Sequence, residues 1–453
     1  MASSVDTIAA PGTPSGTSAL ALVRATGPAC VRLVEEVFRA APLPRQAVHG
    51  DYCSCGGALV DDVVYTLFQS PHSYTGDDLL EISCHGNPLI VQKILEDLFS
   101  RGCRPAQPGE FTRRAFLNGR MDLSQAEAVV DLIHARSERA LAAANQQLRG
   151  ALGRRMRDLI DRLVALLARV EAYIDFPEED LPPADRRELD SGLRALAEET
   201  ARLLATSHYG ELLRDGVRTV IVGEPNAGKS SLLNRLVGRD RALVSAEPGT
   251  TRDYLDEAVT FGPHCIRLVD TAGLNPFPTP IERAGISKTL ECAAEADLVL
   301  LVLDATRAAP VLPPEMASRL APDRTIVVIN KSDLVPDDTG PVPPPGLPVV
   351  RVSALTGAGC PELVATIIAY VDSFRQGRSG DETAINARHA AALTRAGEQL
   401  QMALANVGAG ANCPVELLAS DLRAVMEAFG EIAGRVDNER VLDRLFATFC
   451  IGK

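Results

Sequence analysis

The sequence predicts a multidomain chain: an α+β domain at the N-terminus, an all-α helical domain, and an α/β domain with a phosphate-binding loop inserted into the helical one. Three observations carry this prediction. At 453 residues the chain exceeds what a single hydrophobic core supports. The hydrophobic period changes along the chain, from short strand-like runs to helical spacing, then to alternating strands and helices, and back to helical spacing. Finally, "GEPNAGKS" at Gly223–Ser230 fits G-x-x-x-x-G-K-[ST] between an apolar run and an amphipathic one.

Residues 1–119 mix the β-rich runs "SALALVRA", "DDVVYTLF" and "LLEIS" with Gly and Pro punctuation and one helical stretch, "PLIVQKILEDLF". From Leu123 to about Tyr173 apolar residues recur at three- and four-residue spacing with no Gly-Pro break, predicting long bundle helices. A further helix is expected over Ala184–Leu213, so 120–214 forms the first part of the helical domain. Within 215–376 the runs "RTVIVG", "IRLVD", "DLVLLVLD", "RTIVVIN" and "LPVVRVSA" alternate with helical segments, the pattern of a mostly parallel sheet. Residues 377–453 are helical again. Helices on both sides of the α/β segment are expected to pack together, which makes that segment an insertion.

Composition excludes several classes. Apolar residues are 46% and charged residues 23%, as in ordinary globular proteins. A net charge of −13 argues against a broad surface for nucleic acid, so any RNA contact is local or delegated. "MASSVDTIAAPG" lacks the basic and apolar regions of a secretory signal, and "DLVLLVLD" is too short to span a bilayer. A cytoplasmic protein without a membrane span is expected. Ten cysteines without a CxxC pair fit reduced thiols, and Cys53 and Cys55, lacking a partner pair, read as structural. Cys450 stands four residues from the end of "FATFCIGK", the position of a prenylated cysteine, but Gly452 and Lys453 fit that box poorly.

The glycine loop lets backbone N–H groups turn toward phosphate oxygens. Lys229 reaches the β/γ-phosphates, and the Ser230 hydroxyl suits Mg²⁺. Asn226, Ala227, Gly228 and Ser231 complete that loop and the start of its helix. "PGTTRD" follows, where Thr250 or Thr251 of a switch loop offers the metal a hydroxyl. In "DTAG", Asp270 holds Mg²⁺ through water and the Gly273 N–H meets the γ-phosphate, with Thr271 and Ala272 between them. "NKSD" (Asn330, Lys331, Asp333) and "SAL" (Ser353, Ala354, Leu355) resemble the base-reading motifs of GTPases. Asp333 can accept from guanine N1–H and the exocyclic amine, a pattern adenine lacks, so GTP is the expected nucleotide. Leu274 stands where a water-orienting Gln is usual, and Glu282 is the nearest acid downstream.

These motifs, with "RPAQPGEFTRRAFLNGRMDLSQAEAV", "EISCHGNP", "AYIDFPEED" and the terminal "CIGK", resemble the MnmE (TrmE) family of tRNA modification GTPases, within the TrmE-Era-EngA-YihA-Septin-like group. The resemblance runs from "DTIAAP" to the last residue. It implies an N-terminal tetrahydrofolate-binding and dimerisation domain, a homodimer, tRNA as substrate, and an MnmG-type flavoprotein partner in a heterotetramer. It implies a tetrahydrofolate derivative (5-formyl or 5,10-methylene) bound by Arg24, Glu81, Arg120 and Lys453, with Arg120 standing where Lys is common. It assigns K⁺ to the Asn226 side chain and to the loop Ser245, Ala246, Glu247, Pro248, Gly249 and Thr250, with Ser245 and Glu247 giving backbone carbonyls and Thr251 left to Mg²⁺. It names Glu282 as the catalytic water orienter and brings Cys450 beside the folate as a candidate catalytic thiol.

A rival reading is a GTP-switched assembly factor that binds ribosomal RNA and performs no modification. It needs an RNA-binding appendage, yet the C-terminal helices carry no KH-type GXXG and the chain is acidic. A third reading makes the outer domains scaffolding only.

Overall fold

The computed structural model describes residues 6–41, 43–175, 183–238, 256–271, 288–310, 312–336, 339–374, 384–408, 415–434, 446–447 and 449–452. They fall into two compact units. One comprises residues 1–130, 148–196 and 398–453, and the other 131–147 and 197–397.

The first unit opens with strands β1 (Ile8–Pro11) and β2 (Leu20–Thr26), helix α1 (Cys30–Phe38), then β3 (Ala47–Cys53), β4 (Leu59–Phe68) and β5 (Leu79–His85). Helix α2 (Pro88–Ser100), the short β6 (Arg104–Pro105) and α3 (Glu110–Leu117) follow. The sheet order is β3-β4-β5-β2-β1-β6, antiparallel except for the β1–β6 pair. Alternating strand residues such as Val23, Ile82 and Tyr65 pack with Leu33 and Val34 of α1 and Ile94 and Leu98 of α2, so both helices cover one core. Helix α2 starts at an Asn87 cap whose side chain accepts the Leu89 N–H, with Pro88 at its first position.

Helices α4 (Leu123–His134), α5 (Glu138–Leu148), α6 (Ala151–Asp175) and α7 (Pro183–Leu204) come next. The second unit holds α8 (Ser207–Asp215), β7 (Val217–Gly223), α9 (Lys229–Val237), the hairpin β8 (Asp256–Phe261) and β9 (His264–Asp270), β10 (Leu298–Asp304), α10 (Pro314–Ala317), β11 (Thr325–Asn330), β12 (Val349–Arg351) and α11 (Cys360–Ser373). Its sheet order is β12-β11-β10-β7-β9-β8. Every pair is parallel except the edge hairpin β8–β9. All seven residues of β10 are buried, the result of an unbroken apolar run placed between β7 and β11 with both faces covered. Helices α12 (Ala387–Gly408) and α13 (Val415–Ala433) follow, and α13 packs along α6 within the first unit.

The fold class holds, with several elements beyond the sequence expectation. The helix expected over Ala184–Leu213 is two: α7 stops at Leu204 and α8 begins at Ser207. Thr206 Oγ1 donates to the Leu203 carbonyl at 2.7 Å, so a hydroxyl occupies an acceptor that continued helix uses for a backbone N–H. The run from Leu123 likewise divides into three helices. Strands β1, β3, β6 and β8 and helices α1 and α3 are additions. Among the described residues no helix is long and apolar enough to cross a membrane, and no cluster of three or more His, Cys, Asp or Glu side chains is placed to hold a metal ion.

The α2 face carries one charged group inside the apolar layer. Asp97 accepts from Arg101 Nε at 2.7 Å, from Tyr52 Oη at 3.0 Å and from the Cys55 N–H at 2.7 Å. Burial works to raise the Asp97 carboxyl, but these donors outweigh it and hold the group below its usual 3.8. A depressed folded value means stability that is present above the unfolded value and lost as pH falls through the folded one. Asp97→Ala leaves the buried Arg101 guanidinium without its main partner and is expected to cost about 3–5 kcal/mol in urea denaturation at neutral pH. The gap between parent and variant should narrow as pH drops below about 4, where Asp97 of the unfolded chain takes up its proton first and the paired carboxylate follows only at lower pH.

Candidate functional site

The described motif residues of the second unit gather where its parallel strands end. Register pairs Ile221 with Asp270, Val302 with Gly223, and Asp304 with Asn330, so β9, β7, β10 and β11 deliver their last residues to one edge. Ligands of open α/β sheets bind at that carboxyl edge. The loop from β7 to α9 turns through Asn226 and Gly228, both with positive φ (65° and 91°). Gly228 tolerates no side chain, since a Cβ there would run into the Asn330 amide.

Asn330 is 1% exposed, and its amide joins two loops. Nδ2 donates to the Ala227 carbonyl at 2.9 Å, and Oδ1 accepts the Ala354 N–H at 3.0 Å. The phosphate loop and the Ser353–Leu355 loop are therefore fixed to one side chain. Lys331, at φ 63°, turns its Nζ to Asp304 Oδ2 at 2.7 Å. Burial acts to raise the Asp304 carboxyl, and Lys331 together with the Thr306 N–H and hydroxyl more than offsets it, keeping the group ionised. Asp333 lies exposed in the single turn Ser332–Leu334. Ser353 is buried and accepts the Thr356 N–H at 3.1 Å, whereas Leu355 is 78% exposed.

Lys229 is buried and folds its Nζ back onto the carbonyls of Gly223 (3.2 Å) and Glu224 (3.0 Å). Burial pushes this ammonium down from its usual value, with Asp270 pulling the other way. A cation held by neutral carbonyls at the rim of a glycine loop suits an incoming polyanion. Ser230 Oγ donates to Asp270 Oδ2 at 2.7 Å, and Asp270 Oδ1 is buried without a partner among the described residues. This pair of hard oxygens fits a hard divalent cation. Thr271 instead ties its hydroxyl to the Ile221 carbonyl at 2.7 Å. Asn226 and Ser231 are exposed. Ser245, Ala246, Glu247, Pro248, Gly249, Thr250, Thr251, Ala272, Gly273, Leu274 and Glu282 lie outside the described residues.

Asp304 was not among the residues singled out from the sequence, although it had a signal. An acid ending a fully buried strand at the edge that carries "NKSD" needs a reason to be there.

In the first unit Arg24 on β2 faces Glu81 on β5 in register, and the side chains pair at 2.8–2.9 Å. The chain's last described residues come to this pair. Phe446 and Phe449 pack with Leu123 and Ala126, Gly109 N–H donates to the Cys450 carbonyl at 3.3 Å, and Arg24 Nη1 donates to the Gly452 carbonyl at 3.5 Å. Gly452 (φ 91°) sits where a Cβ would meet the Pro11 carbonyl, so only glycine fits this approach. The Cys450 side chain is exposed. Tyr74 lies nearby, its hydroxyl 2.9 Å from Thr112 Oγ1. Burial pushes that phenol up, while Thr112 and the Arg24 charge act against it. Arg120 is exposed with its Cγ close to Gly76, and Lys453 lies outside the described residues.

Two family models and several relatives match the chain. The family described as "MnmE helical domain" matches residues 123–450, and "GTP-binding protein TrmE N-terminus" matches 7–120. The tRNA modification GTPase MnmE of Opitutus terrae is 57% identical over 452 residues, covering 99% of each chain. The chain belongs to the MnmE family of tRNA modification GTPases. The MnmE proteins of Symbiobacterium thermophilum and Akkermansia muciniphila are each 43% identical over 464 and 456 residues, again covering 99% of both chains. This MnmE-family chain is accordingly a GTP-binding enzyme, a GTP hydrolase that serves tRNA modification.

Proposed function

We propose that the chain is a K⁺-stimulated, Mg²⁺-dependent cytoplasmic GTPase that works with an MnmG-type flavoprotein to add the carboxymethylaminomethyl group to C5 of the wobble uridine of certain tRNAs. A homodimer through the N-terminal domain and a heterotetramer with the flavoprotein go with this reading, as does the division 1–119, 120–214, 215–376 and 377–453. The observation that carries it is the return of the C-terminal tail to Arg24. Phe446, Phe449 and a side-chain-free Gly452 bring a segment from far along the chain beside the Arg24–Glu81 pair, a site that the nucleotide motifs do not account for.

In this reading Arg24, Glu81, Arg120 and Lys453 hold a tetrahydrofolate derivative, 5-formyl or 5,10-methylene, with Cys450 beside it. At the nucleotide, Asp333 reads guanine, Lys229 meets the phosphates, and Ser230, Asp270 and Thr251 hold Mg²⁺, which neutralises charge on the phosphate oxygens. Asp270 Oδ1, buried without a partner among the described residues, is the acceptor that supports this assignment. Asn226, with the carbonyls of Ser245 and Glu247 and with Thr250, provides oxygen ligands for K⁺, a fixed positive charge in the role of an arginine finger. Glu282 orients the attacking water, a task Leu274 cannot perform.

Deleting the last four residues should abolish the modified wobble nucleoside in tRNA from a complemented deletion strain while GTP turnover stays nearly intact. Full modification by the truncated protein contradicts the tail's role, and Cys450→Ser tests the thiol by itself. For the cation, turnover of the unmodified protein should be high in K⁺ and low in Na⁺, and Asn226→Ala should lose the K⁺ stimulation while still binding nucleotide. Equal turnover in the two salts contradicts the assignment.

A further inference from the structure

Helix α9 begins with the phosphate-loop residues Lys229 and Ser230 and carries Arg235 in its last turn. The half-buried Arg235 guanidinium reaches across to the Ser353–Leu355 loop, where Nε donates to the Ala354 carbonyl at 2.9 Å and Nη2 donates to the Leu355 carbonyl. These are adjacent carbonyls met by one planar fork, a geometry that Arg satisfies and Lys cannot. From the other side Asn330 holds the Ala354 N–H. The Leu355 side chain is 78% exposed, so at this end of the loop the two carbonyl contacts supply the tie to helix α9. A groove of about 410 Å³ runs between helix and loop, bordered by Ser231, Asn234, Arg235, Gly238, Ala354 and Leu355.

We propose that Arg235 is a positioning residue for nucleotide retention, locking the loop that faces the base to the helix that starts at the phosphates. The proposal rests on the reading of Asp333 and Ser353–Leu355 as the base-recognition residues. Without the fork the loop loses its tie to helix α9 and the bound nucleotide leaves sooner, while bond cleavage at the phosphates is untouched.

The test is release of a fluorescent GDP analogue from the full-length chain, with Arg235→Ala, Arg235→Lys and Asp333→Asn compared with the parent. Arg235→Ala is expected to release about tenfold faster, the scale of one charged hydrogen bond, with Arg235→Lys intermediate because it keeps a single charged donor. Single-turnover cleavage at saturating GTP should stay within about twofold of the parent. Release by Arg235→Ala within about twofold of the parent overturns the proposal. So does faster release matched by an equal loss of thermal stability in the nucleotide-free protein, since that marks a general structural role. Asp333→Asn tests the underlying reading separately. An amide donates where the carboxylate accepted, so preference should move from guanine to xanthine nucleotides, which carry a carbonyl at the position of the amine. Absence of that move overturns the base-reading assignment and, with it, this proposal.

Discussion

The Asn330 carboxamide is the interaction on which the nucleotide site depends. Neither loop that it joins belongs to a strand or helix at the point of contact, so neither has a ladder partner to fix it. One buried side chain supplies a donor to the Ala227 carbonyl and an acceptor for the Ala354 N–H. An unpaired buried backbone group costs on the order of 1–3 kcal/mol, so the amide's double use settles two such groups at once. The bareness of Gly228 follows, because any Cβ there would displace the amide from its seat. The positions of Lys229 and Ser230 follow too, since helix α9 begins directly after that glycine.

The second cluster obeys the same logic with other means. There the segment 449–452, without regular secondary structure, is held by Phe446 and Phe449 in a small apolar cluster and by backbone contacts that admit only glycine at Gly452. Arg24 bridges a neighbouring strand's carboxylate and the tail's carbonyl. In both places the fold uses a buried or half-buried polar side chain to tie down backbone that lacks regular hydrogen bonding.

Much of this was legible in the sequence, for physical reasons that differ by element. The unbroken run of β10 could only be a strand buried on both faces, and the glycine loop between an apolar run and an amphipathic one fixed the place of β7 and α9. Helix ends were less legible. Nothing in the periodicity around Thr206 separates a continuing helix from one whose hydroxyl takes over a carbonyl, so the pattern does not mark the break between α7 and α8. Strand β8 is a short edge strand with charged residues at its start, too weak in pattern to stand out. Motif spacing revealed Asn330 and Lys331 but not Asp304 or Arg235, because those two act by reaching across space to a loop distant in sequence.

The most direct test of this account is the GDP affinity of Asn330→Asp, which keeps shape and the acceptor toward Ala354 but sets an oxygen against the Ala227 carbonyl. The clamp predicts a loss on the order of 30-fold or more, the equivalent of about 2 kcal/mol, with secondary structure unchanged. Affinity within about threefold of the parent contradicts it and returns the two loops to independent control.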